Sequence, residues 1–123
     1  MRTLIMGGPK TGKTSLSEGF HCPVHHTDEL LDLEWSDQSK RIAEWLDEPG
    51  PWLIEGAAVV RGLRKWLRLH EDGLPFDHLL YLTEPLADLS KGQTTMAKGI
   101  RTIWLEIESE VATRMKDQLI EVL

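Results

Sequence analysis

The sequence contains a single cysteine, Cys22, among 123 residues. No internal disulfide can form, and nothing points to an oxidising compartment. No apolar run approaches the roughly 20 residues that a membrane-spanning helix needs. The opening residues Met1–Met6 lack the apolar core of a secretory leader and read directly into a strand. A cytoplasmic protein without a membrane partner is therefore expected. Basic residues are scarce as well: 14 Lys and Arg stand against 20 Asp and Glu, for a formal net charge of −6. A broad nucleic-acid face needs surplus cations to displace counterions, so that class is disfavoured, with room left only for a local basic patch. There is no internal repeat, linker or low-complexity segment. What is present suits one compact domain over residues 1–123, since hydrophobic residues make up 41% and can supply a core without staples.

Periodicity alternates along the chain. Arg2–Met6 is a short apolar run of the buried-strand type, ending at Gly7-Gly8. Thr14–Phe20 reads as a short helix and Pro23–Thr27 as a weak second strand. Ile42, Trp45 and Leu46 share a face of a helix over Ser36–Glu48, with Ser36 or Asp37 as its cap and Pro49-Gly50 as its stop. Pro51–Glu55 predicts a third strand. Val59, Leu63, Trp66 and Leu67 predict a helix, and Asp77–Leu82 a fourth strand. A polar, glycine-bearing stretch follows over Leu89–Gly99. Ile100, Ile103, Trp104, Ile107, Val111, Met115 and Leu119 then predict one long amphipathic helix to the C-terminus. Strands alternating with helices imply an α/β fold with a parallel sheet and right-handed crossovers.

The most specific motif is Gly7-Gly8-Pro9-Lys10-Thr11-Gly12-Lys13-Thr14, which satisfies G-x-x-x-x-G-K-[ST] between a strand and a helix. Glycines at positions 7 and 12 permit backbone angles that turn successive N–H groups toward an anion. The helix opening near Lys13 adds its positive end. Lys13 supplies a point charge for β- and γ-phosphates, the Thr14 hydroxyl is a hard oxygen suited to magnesium, and Ser15 is placed for the α-phosphate. The expected ligand is the triphosphate of a nucleotide, ATP with Mg2+.

The rest of the chain narrows the class. A Ras-type GTPase reads guanine through N-K-x-D, which does not occur here. An AAA-type motor needs a longer chain. Leu89-Ser-Lys-Gly-Gln93 matches the short signature of ABC ATPases, but no apolar strand ending in Asp-Glu follows it, so the match is read as chance. With its phosphate loop at Gly7–Thr14, the chain resembles the small P-loop kinases, the nucleotide, nucleoside, shikimate and gluconate kinases. The weaker matches are positional: Asp28 after the second strand, Trp52-Leu-Ile-Glu55-Gly56 at the third, and Tyr81-Leu-Thr-Glu-Pro85 at the fourth. The resemblance implies a three-layer P-loop NTPase fold with strand order 2-3-1-4-5, which would bring Glu55 near the magnesium. It also implies a mobile lid at Lys91–Gly99. No arginine-rich lid motif is present, and no fifth strand is visible after the last helix. The sheet is therefore expected to have four or five strands, and a bare edge is one that a second copy could cover in a homodimer.

Phosphoryl transfer asks a protein mainly for positioning and charge neutralisation. Lys13 and Asp28 are the candidate catalytic residues, Asp28 as the base toward an acceptor hydroxyl, with a helix cap as its alternative and Glu29 as the substitute base. Thr14 and Glu55 are the candidate metal ligands. Arg61, one turn beyond the third strand, is the candidate substrate-binding residue. For Arg64, Lys65 and Arg68 on the same face, salt bridges to the acidic Asp28–Glu48 region are expected instead. Lys91, Lys98 and Arg101 are candidate lid cations, with Gly92 and Gly99 as hinges. His21, Cys22, His25 and His26 lack the second ligand pair of a zinc site, and a strand sends His25 and His26 to opposite faces. Trp45, Trp66 and Trp104 lie on apolar faces and are expected in the core, whereas Trp35 could line a base or sugar pocket. These residues imply a kinase moving the ATP γ-phosphate to a small hydroxyl or phosphate acceptor: a nucleoside, a nucleotide or a nucleic-acid 5′ end. The alternatives are a non-catalytic ATP-binding module and a slow NTPase.

Overall fold

A computed structural model describes residues 1–123. Its elements are β1 (Arg2–Gly7), α1 (Lys13–Ser17), β2 (Val24–His26), a 3-10 turn (Thr27–Leu30), α2 (Trp35–Leu46), β3 (Trp52–Gly56), α3 (Val59–Leu69), β4 (His78–Leu82), α4 (Lys91–Arg114) and β5 (Leu119–Val122). The five strands form one parallel sheet in the order β2-β3-β1-β4-β5. No helix is long and apolar enough to cross a membrane.

β1 lies at the centre, and its residues Leu4, Ile5 and Met6 are fully buried. A strand covered on both faces has no solvent side, which is why this run is continuously apolar rather than alternating. Leu4 and Met6 join Trp52 and Ile54 of β3 in the main core, closed by Ile42 and Leu46 of α2, Val59 and Leu63 of α3, and Ile100, Trp104, Ile107 and Val111 of α4. The opposite face carries Ile5, Leu53 and Leu80, packed with Phe20, Cys22 and Val24, and α1 lies against β1 and β3. Gly62 lets α2 and α3 approach closely, because a Cβ there would stand 2.1 Å from Ile42 Cγ2. Trp45, Trp66 and Trp104 are in the core as expected. The indole N–H of Trp66 donates to Asp47 at 2.8 Å, so burial leaves no orphan donor there.

Local patterning misplaced three boundaries. The last helix does not run to the C-terminus: it ends at Arg114, and Met115 turns extended (φ −66°, ψ 140°). Lys116 N–H donates to Gln118 Oε1, and residues 119–122 become the fifth strand. Helical spacing passes through Met115 and Leu119 by coincidence. What draws the segment into the sheet is the free edge of β4, where Leu119 N–H donates to Asp77 O and Leu123 N–H to Tyr81 O. The edge that suggested a homodimer is thus covered by the chain itself. Second, Leu89–Gly99 is not a loop, since α4 starts at Lys91 behind a capping box formed by Ser90 and Gln93. The Ser-x-x-Gln spacing was the legible signal, hidden by Gly92 and Gly99. Third, α2 starts at Trp35 behind Glu34, with no side-chain cap, so neither Ser36 nor Asp37 serves.

Arg2 ties the edge of β1 to the entry of β4. Its backbone N–H donates to Asp77 Oδ2 at 2.7 Å, and its guanidinium reaches both carboxylate oxygens at 3.3 and 3.2 Å. These hydrogen bonds hold the Asp77 carboxyl below its ordinary range. Such a group stabilises the fold above its unfolded pKa, near 4, and the contribution disappears as pH falls through the folded value. Both partners are partly exposed, so the effect is modest. In urea titrations below about pH 4, the wild type is expected to lose stability with a component that Asp77→Asn lacks. An unchanged pH slope in the variant would show the pair to be inert.

Candidate functional site

Parallel register aligns the carboxyl ends of the inner strands. Met6 sits opposite Gly56 of β3 and Tyr81 of β4, and Glu55 opposite His26 of β2. The segment after β1 crosses this edge. Gly12 caps α1 in the left-handed region (φ 91°), as a glycine can. Gly7 is needed for a different reason from the one expected: its φ is not positive, but a Cβ would stand 2.6 Å from the Leu82 carbonyl oxygen. A Cβ on Gly8 would come 2.9 Å from Ala97 Cβ on α4. The loop therefore lies tight against β4 and α4.

Within the loop, no amide N–H from Lys10 to Ser15 donates to a backbone carbonyl. Thr11 is buried and Gly12 and Lys13 are half-buried, an environment in which amides are rarely left without partners. A run of them around one turn is the electrostatic form of an anion nest. The loop's carbonyls, in contrast, are engaged. Lys13 Nζ donates to Gly8 O at 2.6 Å, and the Thr11 hydroxyl donates to the same oxygen at 3.0 Å. Leu86 N–H donates to Lys10 O at 2.7 Å. Lys10 itself has φ 60°, an angle that costs a non-glycine residue about 1 kcal/mol, and its ammonium donates to Asp88 O at 2.8 Å. Its side chain thus pins the loop to the Leu82–Ser90 segment and leaves only its N–H for an anion. Pro9, having no N–H, adds rigidity alone. Thr14 and Ser15 are exposed at the start of α1, with their hydroxyls facing no protein partner.

Lys13 is a perturbed cation of this loop. Burial lowers its pKa, opposed by the negative charges of Glu55 and then Asp28. Both candidate acids therefore lie within electrostatic reach of the same ammonium. Glu55 is only 2% exposed at the end of β3, and its Oε1 is 2.5 Å from His26 Nδ1. A buried carboxylate without partners is costly, and His26 supplies the hydrogen-bonding partner. Glu55 Oε2 has no hydrogen-bond donor from the protein, and the Thr14 hydroxyl likewise has no partner; both are hard oxygens of the kind magnesium takes. Asp28 lies in the 3-10 turn, whose N-cap is His26 with no side-chain cap bond, so the helix-cap alternative is not realised. Its carboxylate is exposed, as is that of Glu29.

His26 escaped the sequence reading, which weighed it only as a zinc ligand. The signal was its place one residue before Thr27-Asp28 at a strand end. His25 points the other way, stacking on Trp45 at 4.4 Å and reaching Glu48 at 2.9 Å. Gly56 joins the two acids: with φ 143°, it lets Thr27 approach so closely that a Cβ would fall 1.8 Å from the Thr27 hydroxyl oxygen.

Arg61 occupies the first turn of α3, with its Nε buried and lacking an acceptor. Burial lowers its pKa first and the neighbouring Arg64 second, although a guanidinium stays charged throughout. It forms no salt bridge. Arg64 and Arg68 both pair with Glu106 of α4, at 2.9 and 3.7 Å, and not with the Asp28–Glu48 region as expected. Lys65 forms no salt bridge either, so Arg61 and Lys65 are the cations of this face left without a carboxylate, and of these two only Arg61 has a buried Nε without an acceptor.

The expected lid cations sit on a helix, not on a mobile loop. Lys91 begins α4, and Gly92 and Gly99 lie inside it. Lys98 and Arg101 line a cavity of about 420 Å³ with Tyr81, Trp104, Leu105 and Val122. Burial raises the Tyr81 pKa, with Arg101 opposing it. The cavity adjoins the Gly7–Thr14 loop, because Tyr81, Thr83 and Ala97 also line the cleft beside Gly8, Pro9 and Thr11. Closure over a phosphate would therefore require α4 to move or unwind at its start.

Comparison with known proteins finds no matching protein-family model and no matching curated protein.

Proposed function

We propose that this chain is an ATP-dependent phosphotransferase of the small P-loop kinase type, with the P-loop NTPase fold, acting in the cytoplasm. The observation that carries the reading is the run of amides from Lys10 to Ser15 without backbone acceptors, around a half-buried lysine ammonium. Such a surface has no internal partner and matches the oxygens of a polyphosphate. The sheet order β2-β3-β1-β4-β5 is the one the resemblance implies, and ligands of open α/β sheets lie at the carboxyl ends of the strands.

In this reading the amides of Lys10–Ser15 hold the β- and γ-phosphates. Lys13 neutralises the charge that develops between them. Thr14 Oγ1 and Glu55 Oε2 would hold Mg2+, which spreads the remaining charge, and His26 keeps Glu55 oriented. Asp28, exposed and within electrostatic reach of Lys13, accepts the proton of the acceptor hydroxyl. The acceptor oxygen then bonds to the γ-phosphorus as the bond to the β,γ-bridging oxygen breaks and ADP leaves. Arg61 binds the anionic part of the acceptor.

The test is ADP formation that depends on an acceptor. Asp28→Asn is expected to lower kcat by about 10²–10⁴-fold while Mg-ATP affinity stays within severalfold of wild type. Full rate in Asp28→Asn with the true acceptor would remove Asp28 as base. Phosphate release without any acceptor, lost in Glu55→Gln, would instead mark an NTPase in which Glu55 orients water.

A further inference from the structure

Trp35 is 71% exposed, whereas Trp45, Trp52, Trp66 and Trp104 are each 8% exposed or less. It opens α2, immediately after a connection in which Leu31 and Leu33 are also exposed, at 71% and 37%. Large apolar side chains placed together in water forgo the gain from burial. One face of the indole is taken by Arg61, whose guanidinium carbon lies 4.9 Å from the ring centroid. That arginine comes from a different helix, has no carboxylate partner, and keeps Nε buried without an acceptor. The two side chains meet where α2 and α3 start. A flat π surface and an unneutralised planar cation are thus grouped together.

Each of these two, together with Asp28 as the base of the proposed transfer, selects a feature of the ligand. The open indole face takes a planar ring, stacked as bases stack on aromatic platforms. Arg61, held flat by the indole, can donate two parallel hydrogen bonds to a phosphate or carboxylate. Asp28 needs a hydroxyl. From this grouping, and on the phosphotransferase reading above, we infer that the acceptor is a 5′-hydroxyl nucleotide unit, with its base on Trp35, its phosphate on Arg61 and its free hydroxyl toward Asp28. Transfer forms the bond from that oxygen to the γ-phosphorus, with the hydroxyl proton passing to Asp28 and ADP leaving. A saturated sugar acid or a simple polyol offers no ring for the platform. Free 3′-nucleotides and the 5′-hydroxyl end of an oligonucleotide share the required chemistry.

Calorimetry of the full chain with adenosine and cytidine 3′-monophosphates, a 5′-hydroxyl tetranucleotide and gluconate tests the assignment. Each is titrated into the wild type and into Lys13→Ala, which separates this site from the phosphate loop. Both nucleotide probes are expected to bind either protein, and gluconate neither. Trp35→Leu should weaken nucleotide binding by about 10- to 100-fold, Trp35→Phe should restore most of it, and Arg61→Ala should weaken it at least tenfold. Stacking should also quench tryptophan emission, and that quenching should vanish in Trp35→Phe because the other indoles are shielded. Binding of the tetranucleotide at least tenfold tighter than the mononucleotides assigns the source to a nucleic-acid end, and equal binding assigns it to the free nucleotide. Nucleotide affinity unchanged in Trp35→Leu, or gluconate bound as tightly as the nucleotides, overturns the inference. Retained binding in Lys13→Ala would keep this site standing even if the ATP reading failed.

Discussion

A Lys13→Ala protein is expected to keep its fold and lose the heat of Mg-ATP binding, with acceptor-dependent turnover falling by about 10²–10³-fold. Lys13 Nζ has one recorded protein partner, the Gly8 carbonyl at 2.6 Å, so its removal takes little from the folded state. Its value lies in what burial does to it. Burial has already stripped part of the water from the ammonium, as the lowered pKa reports, and Glu55 and Asp28 only partly compensate. A phosphate arriving there meets a cation with unmet electrostatic demand, which strengthens attraction beyond its value in open water. The free amides of Lys10–Ser15 remain in the variant but carry only partial charges. Calorimetry checks binding, and circular dichroism checks that the fold survives. If Lys13→Ala binds Mg-ATP with wild-type heat and affinity, the polyphosphate reading of this loop fails.

Gly56→Ala should be among the most destabilising single changes in the chain, by at least about 3 kcal/mol in urea unfolding. Two costs coincide. The backbone angle of φ 143° is one that L side chains rarely adopt, and the added Cβ would stand 1.8 Å from Thr27 Oγ1 and 2.8 Å from Thr27 Cβ. Thr27 is itself 2% exposed, so it has no free space to move into. Any relaxation must displace the turn that carries Asp28 away from the strand end that carries Glu55. The same substitution should therefore reduce phosphoryl transfer even at temperatures where the protein remains folded. A Gly56→Ala protein as stable as wild type would show that the β3 end and the Thr27 turn do not pack as described.

Legibility in the sequence followed the range of the interactions involved. β1 was readable because burial on both faces demands an unbroken apolar run, and α3 because Val59, Leu63, Trp66 and Leu67 repeat at helical spacing. The loop at Gly7–Thr14 was readable because its chemistry is written in consecutive residues. β5 was not, because Leu119–Val122 satisfies helical spacing and becomes a strand only when the β4 edge offers hydrogen bonds. The start of α4 was legible in principle through Ser90 and Gln93, but two glycines and a polar composition outweighed that cap in a local reading. Arg61 looked equivalent to Arg64 and Arg68, until Glu106 of α4 was found to pair with the latter two alone.

By itself the sequence determined an α/β chain with a parallel sheet, a glycine-rich loop at the end of its first strand, and a core built from the apolar faces of its strands and helices. Those features depend on local backbone preference and on side-chain periodicity, which neighbouring residues set together. Only the tertiary structure decided the fifth strand, the His26–Glu55 pair, the docking of α4 against Gly8, and the separation of Arg61 from its paired neighbours. Each of these joins groups far apart in the chain, where the favourable free energy comes from a partner that no local window contains.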